Sequence, residues 1–255
     1  MSELLHIKEW MQALPAFALP LIETLNHSEQ KPDGSPVTEV DKAIEQWLRE
    51  KIMRTYPQDG IIGEELEAHQ PTATRQWIID PIDGTRALLE GNPTYTTLIA
   101  LLDNNIPLYS AMLQPITSEL WISDGDETRY NSERINCTKV DAITAATFST
   151  TSPDLFREDD QQLIQIILRT ATKVQLGEDG YAYGKLAKGD VHLVVESGLK
   201  PYDFMPLVPI VEGSGAIITD WKGAPLTVQS SGDVIATSSK ALHQYAIALL
   251  NAHDT

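Results

Sequence analysis

Apolar residues recur at helical spacing over residues 2–25, where Leu4, Ile7, Trp10, Met11, Leu14, Phe17, Leu21 and Leu25 share one side. Pro15 and Pro20 are expected to kink or divide that helix. The polar run from Asn26 to Pro36 reads as a loop with a turn at Pro32-Asp33-Gly34. A second helix opens after Thr38, with Val40, Ile44, Trp47, Leu48 and Met53 on its apolar side. Ile61-Ile62 and Trp77-Ile78-Ile79 are short apolar runs of the kind found in strands buried on both faces, and Pro81 is expected to stop the second. Tyr95 to Leu102, Leu108 to Gln114 and Glu119 to Ser123 predict an antiparallel meander with turns at Asn104-Asn105 and Thr117-Ser118. Asp124 to Asn131 reads as a polar connection.

Beyond it strands and helices alternate. Strands are expected at Ala145 to Thr150, Val191 to Glu196, Ala216 to Thr219 and Val234 to Thr237. Helices are expected at Gln161 to Thr172, at Tyr181 to Lys188 with Gly189 as the stop, and at Lys240 to Asn251. A further helix runs from Lys200-Pro201 to Gly213, perturbed at Pro209. A loose boundary near residue 138 separates an N-terminal α+β half (1–138) from a C-terminal α/β half (139–255) within one compact unit.

Composition narrows the class. At 255 residues, 42% apolar and 22% charged, the chain has the make-up of a soluble globular protein with a large core. A net charge of −17 without any Lys/Arg cluster argues against a nucleic-acid backbone binder. An acidic protein that handles phosphate needs a metal or local cations. The single cysteine, Cys137, excludes an internal disulfide and reads as a small buried residue in a reducing, cytoplasmic setting. The longest uncharged runs, such as Met11 to Ile22, fall short of a membrane span, and no signal-peptide pattern opens the chain.

The candidate chemistry is carried by carboxylates at element ends. Asp80 and Asp83 follow the Trp77-Ile78-Ile79 strand, and Gly84-Thr85 then opens a short helix. Acids for a cation therefore sit beside amides for an anion. Taken alone, Asp-Pro-Ile-Asp-Gly also fits an Asp-capped turn. Glu64 and Glu65 follow a second strand, and as neighbours on an extended chain at most one is expected to reach a given site. Asp203 starts a helix, where capping is the alternative. Asp41 has the Thr-x-x-acid spacing of a helix start, and that is its first reading; the other is an inward hydrogen bond near the metals. Lys31 is either a solvated loop lysine or a cation delivered to a ligand. Oxygen-only ligands favour Mg²⁺, while the scattered histidines (His6, His27, His69, His192, His243, His253), mostly surface residues on this reading, give no zinc pattern. Phosphate-binding Gly-Lys-Ser/Thr, Gly-x-Ser-x-Gly and Gly-x-Gly-x-x-Gly motifs are absent.

Gly63-Glu64-Glu65, Asp80-Pro81-Ile82-Asp83-Gly84-Thr85 and Tyr202-Asp203, in that order, resemble the inositol monophosphatase family over most of the chain. The resemblance implies an α/β fold of alternating helix and sheet layers, an αβαβα sandwich of the sugar-phosphatase type. It implies two or three Mg²⁺ ions on Glu64, Asp80, the carbonyl of Ile82, Asp83 and Asp203. Gly84 and Thr85 would hold the phosphate; Thr85, supported by Asp41 and together with Glu64, would position and deprotonate the attacking water. Lys31 matches a mobile-loop lysine, and Gly177, Glu178, Asp179 and Glu196 match regions that meet the alcohol portion.

Within the family, Gly180-Tyr181-Ala182-Tyr183-Gly184 and Lys200-Pro201-Tyr202-Asp203-Phe204 resemble the histidinol-phosphate phosphatases. Glu178, Gly180, His192 and Ser214-Gly215-Ala216 depart from that branch. The resemblance implies hydrolysis of histidinol phosphate, with inositol monophosphate or another small sugar or nucleotide phosphate as the alternative, and a homodimer. A catalytically silent binding subunit is the reading from another class, and the presence of every expected ligand argues against it.

Overall fold

The computed structural model describes residues 2–25, 28–31 and 36–252; the turn expected at Pro32-Asp33-Gly34, and His27 and His253, lie outside the described residues. In chain order the first half forms α1 (Ser2–Glu23), β1 (Glu29–Gln30), β2 (Pro36–Val37), α2 (Glu39–Thr55), β3 (Gly60–Gly63), β4 (Arg75–Asp83) and α3 (Thr85–Glu90). It continues with β5 (Thr96–Asp103), β6 (Ile106–Gln114), β7 (Glu119–Ser123), β8 (Thr128–Tyr130) and β9 (Glu133–Ile135). The second half forms β10 (Thr147–Thr150), α4 (Glu158–Thr170), β11 (Lys173–Leu176), α5 (Tyr181–Lys188) and β12 (Leu193–Glu196). It closes with α6 (Pro201–Phe204), α7 (Leu207–Gly213), β13 (Ile217–Asp220), β14 (Val234–Thr237) and α8 (Lys240–Leu250).

Neither Pro15 nor Pro20 divides α1. Each removes one amide donor, but Met11, Leu14 and Ala18 are buried without exposure, and that packing carries the helix past both positions. The run read as a loop contains a two-strand ladder pairing Glu29 with Val37 and Gln30 with Pro36. The expected helix from Lys200 to Gly213 breaks at Met205-Pro206 instead of Pro209. Pro209 falls in the first turn of α7, where a backbone N–H has no intrahelical acceptor to lose.

Among the described residues β3 to β9 form one sheet in sequence order, antiparallel except where β3 runs parallel to β4. The second sheet has the order β11-β10-β12-β14-β13, with β10 parallel to both β11 and β12. The polar connection expected after Asp124 contains β8 and leads into β9, and β11 was not expected either. All three are three or four residues long, and β9 and β11 are sheet edges without an apolar alternation to mark them.

The apolar runs become intelligible once both faces of each sheet are seen to be covered. Trp77, Ile79, Ile99 and Leu101 face α1 and α2, while Ile78, Leu98, Ala100 and Leu102 face α5 and α7. Val194 and Ala236 of the second sheet share that middle helical layer, whereas Leu193, Val195 and Ile235 pack against α4 and α8. The result is five alternating layers, helix–sheet–helix–sheet–helix. Among the described residues no helix is long and apolar enough to cross a membrane.

Gly184 sets the closeness of α5 to the first sheet: a Cβ there would lie 2.1 Å from Met112 Cε and 2.9 Å from the Trp121 ring. Gly184→Ala is therefore expected to cost about 1–3 kcal/mol through overpacking. The thermal midpoint should fall by roughly 2–4 °C for each kcal/mol lost; an unchanged midpoint would show that the helix can lift off the sheet at no cost.

Candidate active site

In a regular strand, residues three apart point to opposite faces, so Asp80 and Asp83 would not share a site. The ladder with β5 pairs Asp80 with Leu98 but Asp83 with Thr96, so three steps on β4 oppose two on β5. That register shift is a bulge, and it turns the second carboxylate back towards the first. Pro81 thus does not stop the strand. It sits inside the bulge, where the ladder needs no donor, and its carbonyl accepts a hydrogen bond from Thr97 Oγ1 at 2.7 Å. Asp203, in the first turn of α6, closes the group: one carboxylate oxygen from each of Asp80, Asp83 and Asp203 lies within 4.8 Å of the others.

The surroundings press these acids together. Asp83 Oδ2 accepts from Gly180 N–H at 2.5 Å and from Thr96 Oγ1 at 3.3 Å. A Cβ on Gly180 would stand 2.3 Å from that oxygen, so the close approach requires glycine. The Lys200 amide donates to Asp203 Oδ2 at 2.6 Å, so the capping geometry is realised in the same residue that joins the cluster. Asp80 is 1% exposed, and its Oδ1 has no hydrogen-bond partner. Burial first, and then neighbouring carboxylates, raise the Asp80 and Asp83 carboxyls well above the ordinary range. Burial likewise pushes Asp203 up to about 6. A buried carboxylate oxygen with no donor, in an all-oxygen set, fits a hard divalent cation such as Mg²⁺.

Glu64 lines the same cleft just beyond β3, but its Oε1 carries the Lys31 ammonium at 2.5 Å. Glu65 Oε1 reaches the same nitrogen at 2.6 Å, so both neighbours meet one cation because the chain leaves strand geometry after Gly63. Beneath them, Glu45 of α2 accepts from the Glu65 amide at 2.7 Å and from the Leu66 amide at 3.3 Å. Arg49 neutralises Glu45 at 2.7 Å and donates to the carbonyls of Leu66 and Glu67. This buried pair holds the backbone directly after Glu64. It escaped the sequence reading, although charges at Asp41, Glu45 and Arg49, four apart beside an apolar stripe, were the available signal.

Asp41 serves two roles at once. Its Oδ2 accepts from the Thr38 amide at 2.9 Å and from the Thr38 hydroxyl, which is the helix-start reading. Its Oδ1 accepts from Thr85 Oγ1 at 3.0 Å, which is the inward reading. Thr85 Oγ1 also lies 3.1 Å from the carbonyl of Ile82. Ile82, Gly84 and Thr85 all line the cleft.

The cleft encloses about 550 Å³, and Gly177 and Asp179 are part of its lining, Asp179 Oδ2 lying 3.0 Å from where a Cβ on Gly84 would stand. Glu178 and Glu196 do not line it. Glu178 is paired with Lys185 at 2.6 Å. Glu196 is 2% exposed, accepts from the Thr151 amide at 2.6 Å, and burial pushes its carboxyl up to about 8. Its effect on the cleft passes through Thr151, which does line it. Arg86, Glu90, Asn92, Ser152, Leu155 and Leu176 also line it and were not singled out from sequence; Arg86 and Glu90 lie four apart on α3, directly after the Gly84-Thr85 pair. The four described histidines are partly or fully buried instead of lying on the surface, and none lines the cleft. His6 meets Tyr56, His192 accepts from the Thr147 amide, and His243 sits between Thr219 and Thr237.

A family model described as the inositol monophosphatase family matches residues 14–255. The chain is 40% identical over 234 residues to "Bifunctional phosphatase IMPL2, chloroplastic" of Arabidopsis thaliana, covering 88% of this chain and 67% of that protein. It is 29% identical to a histidinol-phosphatase of Chlorobaculum parvum, with 82% of each covered. A solved inositol monophosphatase from Zymomonas mobilis superposes with a TM-score of 0.89 at 37% identity, covering 98% of both chains.

The crowded carboxylates make stability depend on pH and metal. Below about pH 4 these groups are protonated in the folded and the unfolded chain alike. As pH rises through about 6 for Asp203 and about 7 for Glu65, the folded protein must ionise groups that the unfolded chain ionises easily, so stability falls. The metal-free protein is expected to lose thermal midpoint between about pH 5 and pH 8, and millimolar Mg²⁺ should restore most of it. A midpoint insensitive to both would refute the assignment of a cation site here.

Proposed function

The chain belongs to the inositol monophosphatase family, and on that premise we propose that it is an Mg²⁺-dependent histidinol-phosphate phosphatase releasing histidinol and phosphate. Its class is a phosphoric monoester hydrolase acting on small phosphorylated substrates. The observation that carries the reading is the convergence of Asp80, Asp83 and Asp203 around a buried, partnerless oxygen beside the Thr85–Asp41 pair.

Glu64, Asp80, the Ile82 carbonyl, Asp83 and Asp203 would hold two or three Mg²⁺ ions, which supply Lewis-acid charge neutralisation for a phosphoryl group and acidify a water. The protein's own part begins at Thr85. With its hydroxyl donating to Asp41 Oδ1, Thr85 would take a proton from an incoming water as its own proton passes to the Asp41 carboxylate. Asp41 is held for that task on its other oxygen by Thr38. Glu64, which lines the same cleft, would share in taking that proton, and Gly84 and Thr85 would receive the phosphate. Lys31 lies across Glu64 and Glu65 at the cleft's edge.

Of the acids expected to meet the alcohol portion, Asp179 alone lines the cleft, and it would pair with the amine or imidazole of histidinol. Glu178 and Glu196 would act by fixing Lys185 and Thr151. Kinship to a curated histidinol-phosphatase supports this substrate. An inositol monophosphate is the second reading, supported by the likeness to the Zymomonas enzyme and by the hydroxyls of Thr151 and Ser152 in the cleft. A homodimer in a reducing, cytoplasmic compartment accompanies the proposal; the buried, single Cys137 accords with the compartment.

Phosphate release with Mg²⁺ across histidinol phosphate, inositol 1-phosphate and a nucleoside monophosphate decides among these. Preference for histidinol phosphate is expected; preference for the inositol ester would replace the substrate, and no release from any ester would leave a silent binding subunit. Asp83→Asn should keep the fold and lower turnover by about 100-fold or more; undiminished turnover would refute the metal assignment.

A further inference from the structure

Two leucines stand in water in a cleft that is otherwise mostly polar. Leu155 is 50% exposed and Leu176 52% exposed, and both line the cavity that contains the acids. Arg86, Glu90, Asn92, Thr151, Ser152 and Asp179 give the same cleft polar lining. Scattered exposed leucines need no explanation, but a pair lining a candidate substrate cleft is placed where binding would cover it.

Their positions are fixed by the backbone. Leu155 ends a short turn, Pro153–Leu155, whose start is capped by Ser152 Oγ on the Asp154 amide at 3.2 Å. The Leu155 amide itself donates to the Ser152 carbonyl at 3.2 Å. Leu176 ends the edge strand β11 opposite Thr150 of β10, and the next amide, Gly177 N–H, donates to the Thr151 carbonyl at 3.0 Å. Both leucines are thus tied to the segment 150–152, which Glu196 anchors from below through the Thr151 amide and hydroxyl. Phosphate held at Gly84 and Thr85 would leave the remainder of an ester in the same cleft, whose lining includes both leucines.

We infer that Leu155 and Leu176 are specificity-determining residues: together they form an apolar wall that favours phosphomonoesters whose alcohol presents a flat, apolar or aromatic face over polyol phosphates. The wall buries that face while the polar rim, including Asp179 and Glu90, serves its edge. An imidazole ring has such a face and a sugar alcohol does not. The inference rests on the reading of the chain as a phosphomonoesterase, and not on histidinol phosphate in particular.

The test uses the full-length protein with Mg²⁺ and compares wild type with Leu155→Ser, Leu176→Ser and the double variant on phenyl phosphate and glycerol 2-phosphate. Taking the ratio of variant to wild type for each ester removes the difference in leaving-group reactivity. The double variant should raise KM for phenyl phosphate about ten- to a hundredfold, with kcat and the KM for glycerol 2-phosphate unchanged. Leu155→Met/Leu176→Met should restore the phenyl phosphate KM, which a loss of backbone order would not allow. Equal shifts for both esters, or no shift, would overturn the wall while leaving the phosphatase intact. Hydrolysis of other esters in the wider panel but not of phenyl phosphate would likewise overturn the wall, and hydrolysis of none would refute the phosphatase reading and the wall with it.

Discussion

Three carboxylates that cannot comfortably coexist are the constraint on which the rest of this molecule depends. At separations no greater than 4.8 Å, each ionised pair among Asp80, Asp83 and Asp203 repels by at least about 3 kcal/mol at an effective dielectric of 20. Local donors relieve only part of this: Gly180 N–H and Thr96 Oγ1 meet Asp83, the Lys200 amide meets Asp203, and Asp80 Oδ1 meets none. The surrounding fold must impose the arrangement, and a bound cation must offset it. The bulge in β4, the short helix α6 and the glycine at 180 are three devices that hold negative charge where it would not gather by itself.

A single helix ties the chemistry to the scaffold. Asp41, Glu45 and Arg49 lie on one line of α2, beside the apolar stripe that docks it on the first sheet. The first holds the Thr85 hydroxyl, and the other two hold the backbone directly after Glu64. Burying such groups is costly unless every partner is supplied, and here the partners are loop amides and carbonyls on which the site is built. Helix packing, loop conformation and the aim of a catalytic hydroxyl are therefore settled together.

The extent to which this was legible in the sequence follows from how local each signal is. Trp77-Ile78-Ile79 reads as a doubly buried strand because both faces of β4 meet helices, and the acid-bearing elements around it stand out for the same reason. The bulge was hidden, because register is a property of β4 and β5 jointly and Pro81 by itself reads as a stop. The edge strands β9 and β11 gave no periodicity to detect. Glu178 and Asp179 are equivalent as letters; Asp179 takes the left-handed backbone with φ of 43°, and it is the one that lines the cleft while its neighbour turns to Lys185. Leu155 and Leu176 looked like any core leucine, since exposure is not written in residue type.

The two sheets also divide the labour. Most of the acids that would gather cations belong to the first sheet and its connections, buried in the layered core, whereas β11 is the rim of the second sheet. A replacement in the buried set disturbs packing, charge and hydrogen bonding together. A replacement at the rim disturbs little but the shape of the cleft's mouth. A change in the alcohol accepted would then call for replacements along a strand edge and none in the hydrolytic centre.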